Sequence, residues 1–442
     1  MHAIRAALLT FTGDPFLQGT EASRLYESDG IVAMDDGRIV DAGPAADVLA
    51  RLPAGVEVTR YANALITPGF VDCHVHYPQL PIIGAGGKPL LDWLAGYTFA
   101  AEQRFADAEY ARSVARTYLR ENLRNGITTA AVFCTVHAVS AEVLFEEARA
   151  LDLRLVAGKV MMDRNAPEPL LDTAQRSYDE SKALIARWHG NGRLGYAVTP
   201  RFAVTSTVAQ LDAAGALRRE HAGVHVQSHV SENAAEIALV ASMYPEASSY
   251  LDVYARHGLT GARTIYGHGV HLSERDFAFL HETGTALAHC PTSNNFLGSG
   301  LFRLAAARRS DRPVQVGLAT DLGGGTSFSI LRTMQAAYEV AQLAGSPLPP
   351  SCALYLATRG AARALDLDDR VGSIAPGMEA DLVVLDLAST PVIAMRAGCA
   401  NDIDEMLSVQ MALGDDRAIR ATYVAGRLAW NRDAREHAGP LR

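Results

Sequence analysis

The feature that most restricts the fold is the run at residues 66–79, ITPGFVDCHVHYPQ, where a Thr-Pro-Gly turn leads into apolar residues ending in His74-x-His76. On a β-strand alternate side chains share a face, so His74 and His76 project together from the strand's end. Two neutral imidazoles so placed are half of a metal site; two polar residues that merely close a strand are the plainer alternative. The rest of the chain bears on the choice. Further short apolar runs at residues 128–133, 154–160, 195–198, 224–229, 264–267, 285–289 and 314–319 follow the one at 69–74. Helix-length segments separate them. Residues 107–123 carry apolar positions at helical spacing with Asn125-Gly126 as a C-terminal cap, and residues 176–188 and 231–243 behave similarly. The runs are too apolar to alternate cleanly, as strands buried on both faces are. This order predicts an α/β fold, a distorted (β/α)8 TIM barrel.

The two ends of the chain have a different texture. Residues 4–11 and 29–41 read as strands, with Asp36-Gly37 as the hairpin turn between 31–34 and 38–40. A short helix at 45–52 and strand material at 57–61 follow. Residues 381–387 and 421–431 are again strands and a glycine-turn hairpin, preceded by a Pro376-Gly377 turn. The expectation is a small β-sandwich domain formed from both termini, residues 1–66 and 370–442, enclosing a barrel at 67–369. Two unrelated β-extensions are the alternative. There is no solenoid-length repeat or low-complexity tract.

Composition narrows the class. At 442 residues, 49% hydrophobic and 20% charged, the chain is of ordinary globular make-up and has room for one large and one small domain. A net charge of −9 argues against a nucleic-acid partner. The opening MHAIRAALLTFTGDPF reads as a strand rather than a signal peptide. No stretch approaches the roughly 20 apolar residues of a membrane helix. Cys73, Cys134, Cys290, Cys352 and Cys399 are scattered without a CxxC pair, as reduced thiols are. The expectation is a soluble cytoplasmic protein with no nucleic-acid and no membrane partner.

In such a barrel the chemistry sits at the C-terminal ends of the strands. The fifth run, VHVQSHVSEN, ends in His229 with Glu232 three residues on; the sixth, TIYGHGVHLS, ends in His268. The eighth, VQVGLATDLGGG, ends in Asp321 and three glycines that let backbone crowd a site. Taken singly, a strand-end histidine is more often a hydrogen-bonded structural residue, and Glu232 is equally an acid favoured by a helix dipole.

The string PGFVDCHVH resembles the first-strand signature of the amidohydrolase superfamily, metal-dependent hydrolases built on a (β/α)8 barrel. The order His-x-His, His, His, Asp at strand ends 1, 5, 6 and 8 is similar to that superfamily's ligand pattern. The resemblance implies His74, His76, His229 and Asp321 as protein ligands of one Zn2+ per subunit, iron also suiting the donors. It implies a mononuclear site: binuclear members place a bridging carboxylated lysine at the end of strand 4, where this chain has Arg201 in YAVTPRFAV, a side chain that cannot bridge metals. HVSE resembles the aminohydrolase branch, in which a carboxyl group carries protons.

Longer strings (HVHYPQ, LLDWLAGYTFAAEQRF, GKVMMD, TPRF, QSHVSEN, GHGVHLS, HCPTSN and GLATDLGGGTSFSILRTM) resemble the guanine-deaminating members, from about residue 68 to 334 and loosely beyond. This implies zinc-dependent hydrolytic deamination of guanine to xanthine and ammonia in purine catabolism. Glu232, Asp321 and His268 are then catalytic: Asp321 and His268 orient water, and Glu232 protonates N3 before Glu232 or Asp321 relays a proton to the leaving amine. Gln79 hydrogen-bonds the purine edge, Arg201 the carbonyl oxygen, Phe202 walls the ring and Trp93 covers the site. A homodimer follows from the family likeness alone. The alternatives are another mononuclear deaminase, acting on a modified purine, pterin or s-triazine, and a catalytically dead scaffold, which would have lost ligands. Trp93 and Phe202 are also plausible core residues, and Gln79 a loop residue.

Overall fold

The structure, a computed structural model, describes residues 1–434; the end of the expected C-terminal segment, 435–442, lies outside the described residues. Four strands come first: β1 (His2–Phe11), β2 (Arg24–Asp35), β3 (Arg38–Pro44) and β4 (Glu57–Pro68). Asp36 and Gly37 both take positive φ in the β2–β3 turn, as a tight hairpin requires. The barrel follows with β5 (Phe70–His76), β6 (Ile127–Phe133), β7 (Arg154–Gly158), the two-residue β8 (Val160–Met161), β9 (Leu194–Pro200), β10 (His225–Val230), β11 (Thr264–His268), β12 (Ala286–His289) and β13 (Val316–Leu318). The chain ends in β14 (Leu382–Asp386), β15 (Ile419–Val424) and β16 (Arg427–Asn431).

Two sheets result. One has the order β13-β12-β11-β10-β9-β7-β6-β5, all parallel, with β8 paired to β9. Its ends are brought together where the Asp321 N–H donates to the His74 carbonyl at 2.9 Å and the Thr320 N–H to Asp72 Oδ1 at 2.9 Å. The other is a seven-stranded mixed sheet, β16-β15-β14-β4-β1-β2-β3, made from both termini. Alternating residues of β1 bury on opposite faces: Ile4 packs with Val32, Ile66 and Val384, and Ala3 with Ile31, Ala45 and Val48.

The Thr67-Pro68-Gly69 segment differs from the expected turn. β4 continues to Pro68, and Gly69 hands the chain straight to β5 while its N–H donates to the Asp381 carbonyl at 2.8 Å. A Cβ at Gly69 would lie 2.1 Å from Thr128 Oγ1, so the close approach of the neighbouring strand explains the glycine. The three expected helices are Ala108–Arg124, Ala174–Trp188 and Ala234–Met243. The last starts at Ala234 rather than 231, because Asn233 caps it in a capping box with Glu236.

The barrel's lower interior is filled by small residues (Cys73, Ala131, Ala197, Ala286) against Ala361, Ala362 and Leu365 of the helix Arg359–Ala364 and its exit. That helix plugs the floor and leaves the C-terminal mouth for chemistry. The five cysteines are free thiols, four of them buried. Among the described residues no helix is long and apolar enough to cross a membrane.

Candidate active site

Four histidines and an aspartate converge at the mouth. His74 and His76 end β5 on one face, as the period-two rule requires, with ring centroids 5.2 Å apart. His229 comes from β10 and His268 from the last position of β11. Asp321 lies just past β13, its Oδ1 3.6 Å from His74 Nε2 and 3.8 Å from His76 Nε2. All five are nearly inaccessible to solvent. Ser231, His268 and Asp321 take positive φ (48°, 71° and 45°), a cost for non-glycine residues that gathers here at strand ends 5, 6 and 8.

The donor set fits a cation. The His229 Nδ1–H donates to the Arg201 carbonyl at 2.6 Å, which leaves Nε2 as a bare lone pair; that atom sits 3.0 Å from His76 Nε2. Among the described residues His74 Nε2 and His76 Nδ1 are buried without a hydrogen-bond partner. Burial, and then the neighbouring histidines and Arg201, hold all three imidazoles well below their ordinary range, in the neutral form that ligates metal. Buried ring nitrogens converging beside a carboxylate, some without a hydrogen-bond partner among the described residues, suit a divalent ion. His74, His76 and Asp321 form one group able to hold a metal ion, and His74, His229 and His268 another.

Glu232 lies beside this cluster, buried, with Oε2 3.3 Å from His268 Nε2. It is not the helix-entry acid. Glu236 takes that part, accepting the N–H groups of Glu232 and Asn233 at 3.0 and 3.1 Å. Burial pushes the Glu232 carboxyl up to about 7, opposed by the Ser299 hydroxyl, which donates to Oε1 at 3.0 Å. A carboxyl titrating near neutrality is suited to proton transfer in both directions. His268 Nδ1 faces Asn294 Oδ1 at 2.9 Å; with the hydrogen on Nδ1, Nε2 is an acceptor toward Glu232.

A pocket opens onto these groups, lined by Gln79, Trp93, Arg201, Phe202, Leu297 and Gly324 with His76, His229, Glu232, His268 and Asp321. All ten residues singled out from the sequence are thus brought together, nine on the pocket wall and His74 behind it. Trp93 and Phe202 are buried and also line the pocket, so the core and site readings do not exclude each other. The Trp93 indole N–H donates to the Ala85 carbonyl, which ties the loop at residues 80–87 to the pocket roof.

Sequence reasoning missed several supporting groups. Asp72 accepts from the backbone and hydroxyl of Thr320, fixing strand 1 to the segment that carries Asp321. Tyr254 donates to the His229 carbonyl at 2.8 Å. Glu102 pairs with Arg201. The only signal for Glu102 was an acid on the apolar face of YTFAAEQRF.

A family model described as the amidohydrolase family matches residues 65–429, and the chain belongs to that family. Within it, guanine deaminase of Escherichia coli (strain K12) is 48% identical over 435 residues, 98% of each chain. A solved structure of E. coli guanine deaminase matches with a TM-score of 0.95 at 45% identity, covering 98% of this chain and 100% of that one. The crystal structure of guanine deaminase from C. acetobutylicum with bound guanine in the active site matches with a TM-score of 0.86 at 28% identity, over 97% and 99% of the two chains.

Proposed function

We propose that this chain is a guanine aminohydrolase, converting guanine and water to xanthine and ammonia. The observation that carries the reading is Glu232, a buried carboxyl tuned to about 7, set between a metal-competent histidine cluster and a pocket whose wall holds Arg201 and Gln79. The guanine deaminases reported above support it.

His74, His76, His229 and Asp321 are the residues that hold the metal in this reading, one zinc ion per subunit, with iron suiting the same donors. When bound, the ion supplies an activated water and stabilises developing negative charge. The chain's residues do the rest. Arg201 donates to the 6-carbonyl oxygen of guanine, a group adenine lacks, while Gln79 engages the adjoining edge and Phe202 walls the ring. Trp93 closes the roof and excludes water. As oxygen adds at C2, Glu232 gives its proton to N3. His268, 3.3 Å from that carboxyl, orients the water and shares its proton. The proton given up by the attacking water is relayed by Glu232 or Asp321 to the amine, ammonia leaves as the C2–N bond breaks, and the proton of the C2 hydroxyl restores Glu232 as the carbonyl forms. The same reading places the enzyme in the cytoplasm, in purine catabolism, as a homodimer. It divides the chain into a barrel at 67–369 and a small domain from 1–66 and 370–442.

The test is product formation by purified, zinc-loaded protein. Guanine should yield equal amounts of ammonia and xanthine, with no ammonia from adenine or cytosine. No release from guanine with metal bound would overturn the reading.

A further inference from the structure

Arg201 and Gln79 are not independent of each other. Both oxygens of Glu102 accept from Arg201 Nη1, at 2.9 and 2.7 Å, and Oε1 also accepts from Gln79 Nε2 at 3.4 Å. Glu102 is wholly buried and lies outside the pocket lining, behind the two residues that form it. It is carried by the short helix Phe99–Gln103, whose Phe99 ring faces the same guanidinium with Cζ 5.9 Å from the ring centroid. On the far side a Cβ at Gly323, where φ is +115°, would lie 2.4 Å from Gln79 Oε1, so the glycine tract leaves room for that carboxamide.

Two consequences follow from the chemistry of these groups. A carboxylate only accepts, so its bond to Gln79 fixes the amide with the NH2 toward Glu102 and the carbonyl oxygen free. Every hydrogen bond that Arg201 makes through its side chain to the described residues uses Nη1, which leaves the other guanidinium N–H groups to the pocket. Because both partners share Oε1, the guanidinium and the carboxamide lie side by side at the pocket wall, one offering donors and the other an acceptor. A ring edge that presents a carbonyl next to an N–H, a lactam, matches that pair; an amidine edge such as that of adenine reverses it.

We propose that Glu102 is the positioning residue that sets substrate selectivity, by fixing Arg201 as donor and Gln79 as acceptor so that the pocket reads a lactam edge. This rests on the guanine reading of the site and adds the residue that enforces it. Glu102 touches no substrate and acts through its two partners. Loss of its charge leaves Arg201 buried without a counter-ion and frees the Gln79 amide to turn over.

The test compares competitive inhibition of guanine turnover by hypoxanthine, which keeps the 6-oxo and N1–H groups, and by purine, which has neither. In Glu102→Gln, hypoxanthine and the guanine KM should weaken by about 10- to 100-fold. Purine should change less than about threefold, and kcat less than KM. In an Arg201→Met background the same substitution should have little further effect on hypoxanthine, as for residues that act together. Glu102→Asp should recover part of the hypoxanthine affinity. Should Glu102→Gln fail to fold, Glu102→Asp and the Arg201→Met, Glu102→Met pair carry the comparison, the pair losing hypoxanthine selectivity over purine. Equal weakening of both inhibitors in folded, zinc-loaded variants would overturn the proposal. Absence of guanine turnover in the unsubstituted enzyme would instead strike the functional reading beneath it.

Discussion

At the floor of the barrel His225 opens β10 and donates from Nε2 to the Leu365 carbonyl at 2.8 Å, a neutral imidazole with a backbone partner. Four residues on, at the mouth, His229 ends the same run with its Nε2 3.0 Å from another ring nitrogen. Charged groups repeat the contrast. Below, Arg154 and Arg193 close on Glu379 and Asp381, tying the barrel to the terminal sheet through the Nε and Nη2 groups of both arginines. Above, Glu232 keeps one oxygen toward the pocket, and Asp321 is held with positive φ. One end of the fold uses buried polar groups to lock the two sheets together. The other leaves them incompletely paired, which is what the proposed metal binding and proton transfer require.

The sharpest way to break this division is to remove the metal. Chelation should cut guanine turnover below about 1% of the holoenzyme's, and zinc should restore it. It should also lower stability, by about 4 kcal/mol if the ion is present at a thousand times its Kd. Calorimetry with matched zinc content checks both. Persistence of full turnover in metal-free protein would erase the distinction between mouth and floor.

Glu379→Ala is the opposite case. Burial alone would raise this carboxyl, but Arg154 and Arg193 hold it below its usual range. Its removal leaves Arg154 without a counter-ion and Arg193 with Asp381 alone, and should cost about 3–5 kcal/mol in denaturant unfolding, with kcat unchanged. A comparable loss of kcat in folded protein would mean that the floor reaches the chemistry.

His225 sharpens the comparison through pH. Burial holds it at about 4 in the folded chain, against 6.5 for an ordinary imidazole. The unfolded chain therefore takes up this proton first. Stability contributed by the site is complete above about 6.5 and falls as pH drops toward 4, by about 3 kcal/mol in all. Unfolding at pH 7 and pH 5 should show a flatter acid slope in His225→Gln, whose amide can keep the bond to Leu365. The smallest effect belongs to the rim of the terminal sheet: Arg427 pairs with Asp152 at 3.0 Å with both side chains exposed, and Arg427→Ala should cost less than about 1 kcal/mol, vanishing in high salt.

Much of this was legible in the sequence, for identifiable reasons. All eight strands expected of the barrel form, most of them on apolar runs, because parallel strands covered on both faces carry few solvent-facing polar positions; His225–Val230 (HVQSHV) is the polar exception. The histidines proposed as ligands and Asp321 stand at strand ends, where the fold itself directs chemistry. What the chain order hides is pairing across distance. Glu102 sits 99 residues from Arg201, Asp72 248 from Thr320 and Glu379 225 from Arg154. An acid in an apolar helix carries no mark of its partner until the barrel closes. The helix starts at 234 rather than 231 for a local reason: Asn233 and Glu236 form a capping box that sets its first turn, leaving Ser231 and Glu232 outside it.

The most direct test of the account is guanine turnover by zinc-loaded Glu232→Gln, with bound zinc and melting temperature measured on the same sample. The amide keeps the shape of the side chain and can still pair with Ser299, but it cannot carry a proton. The account predicts a fall in kcat of at least about 100-fold with zinc content and melting temperature unchanged. Near-normal turnover in that sample would contradict it, and would remove Glu232 from the reaction.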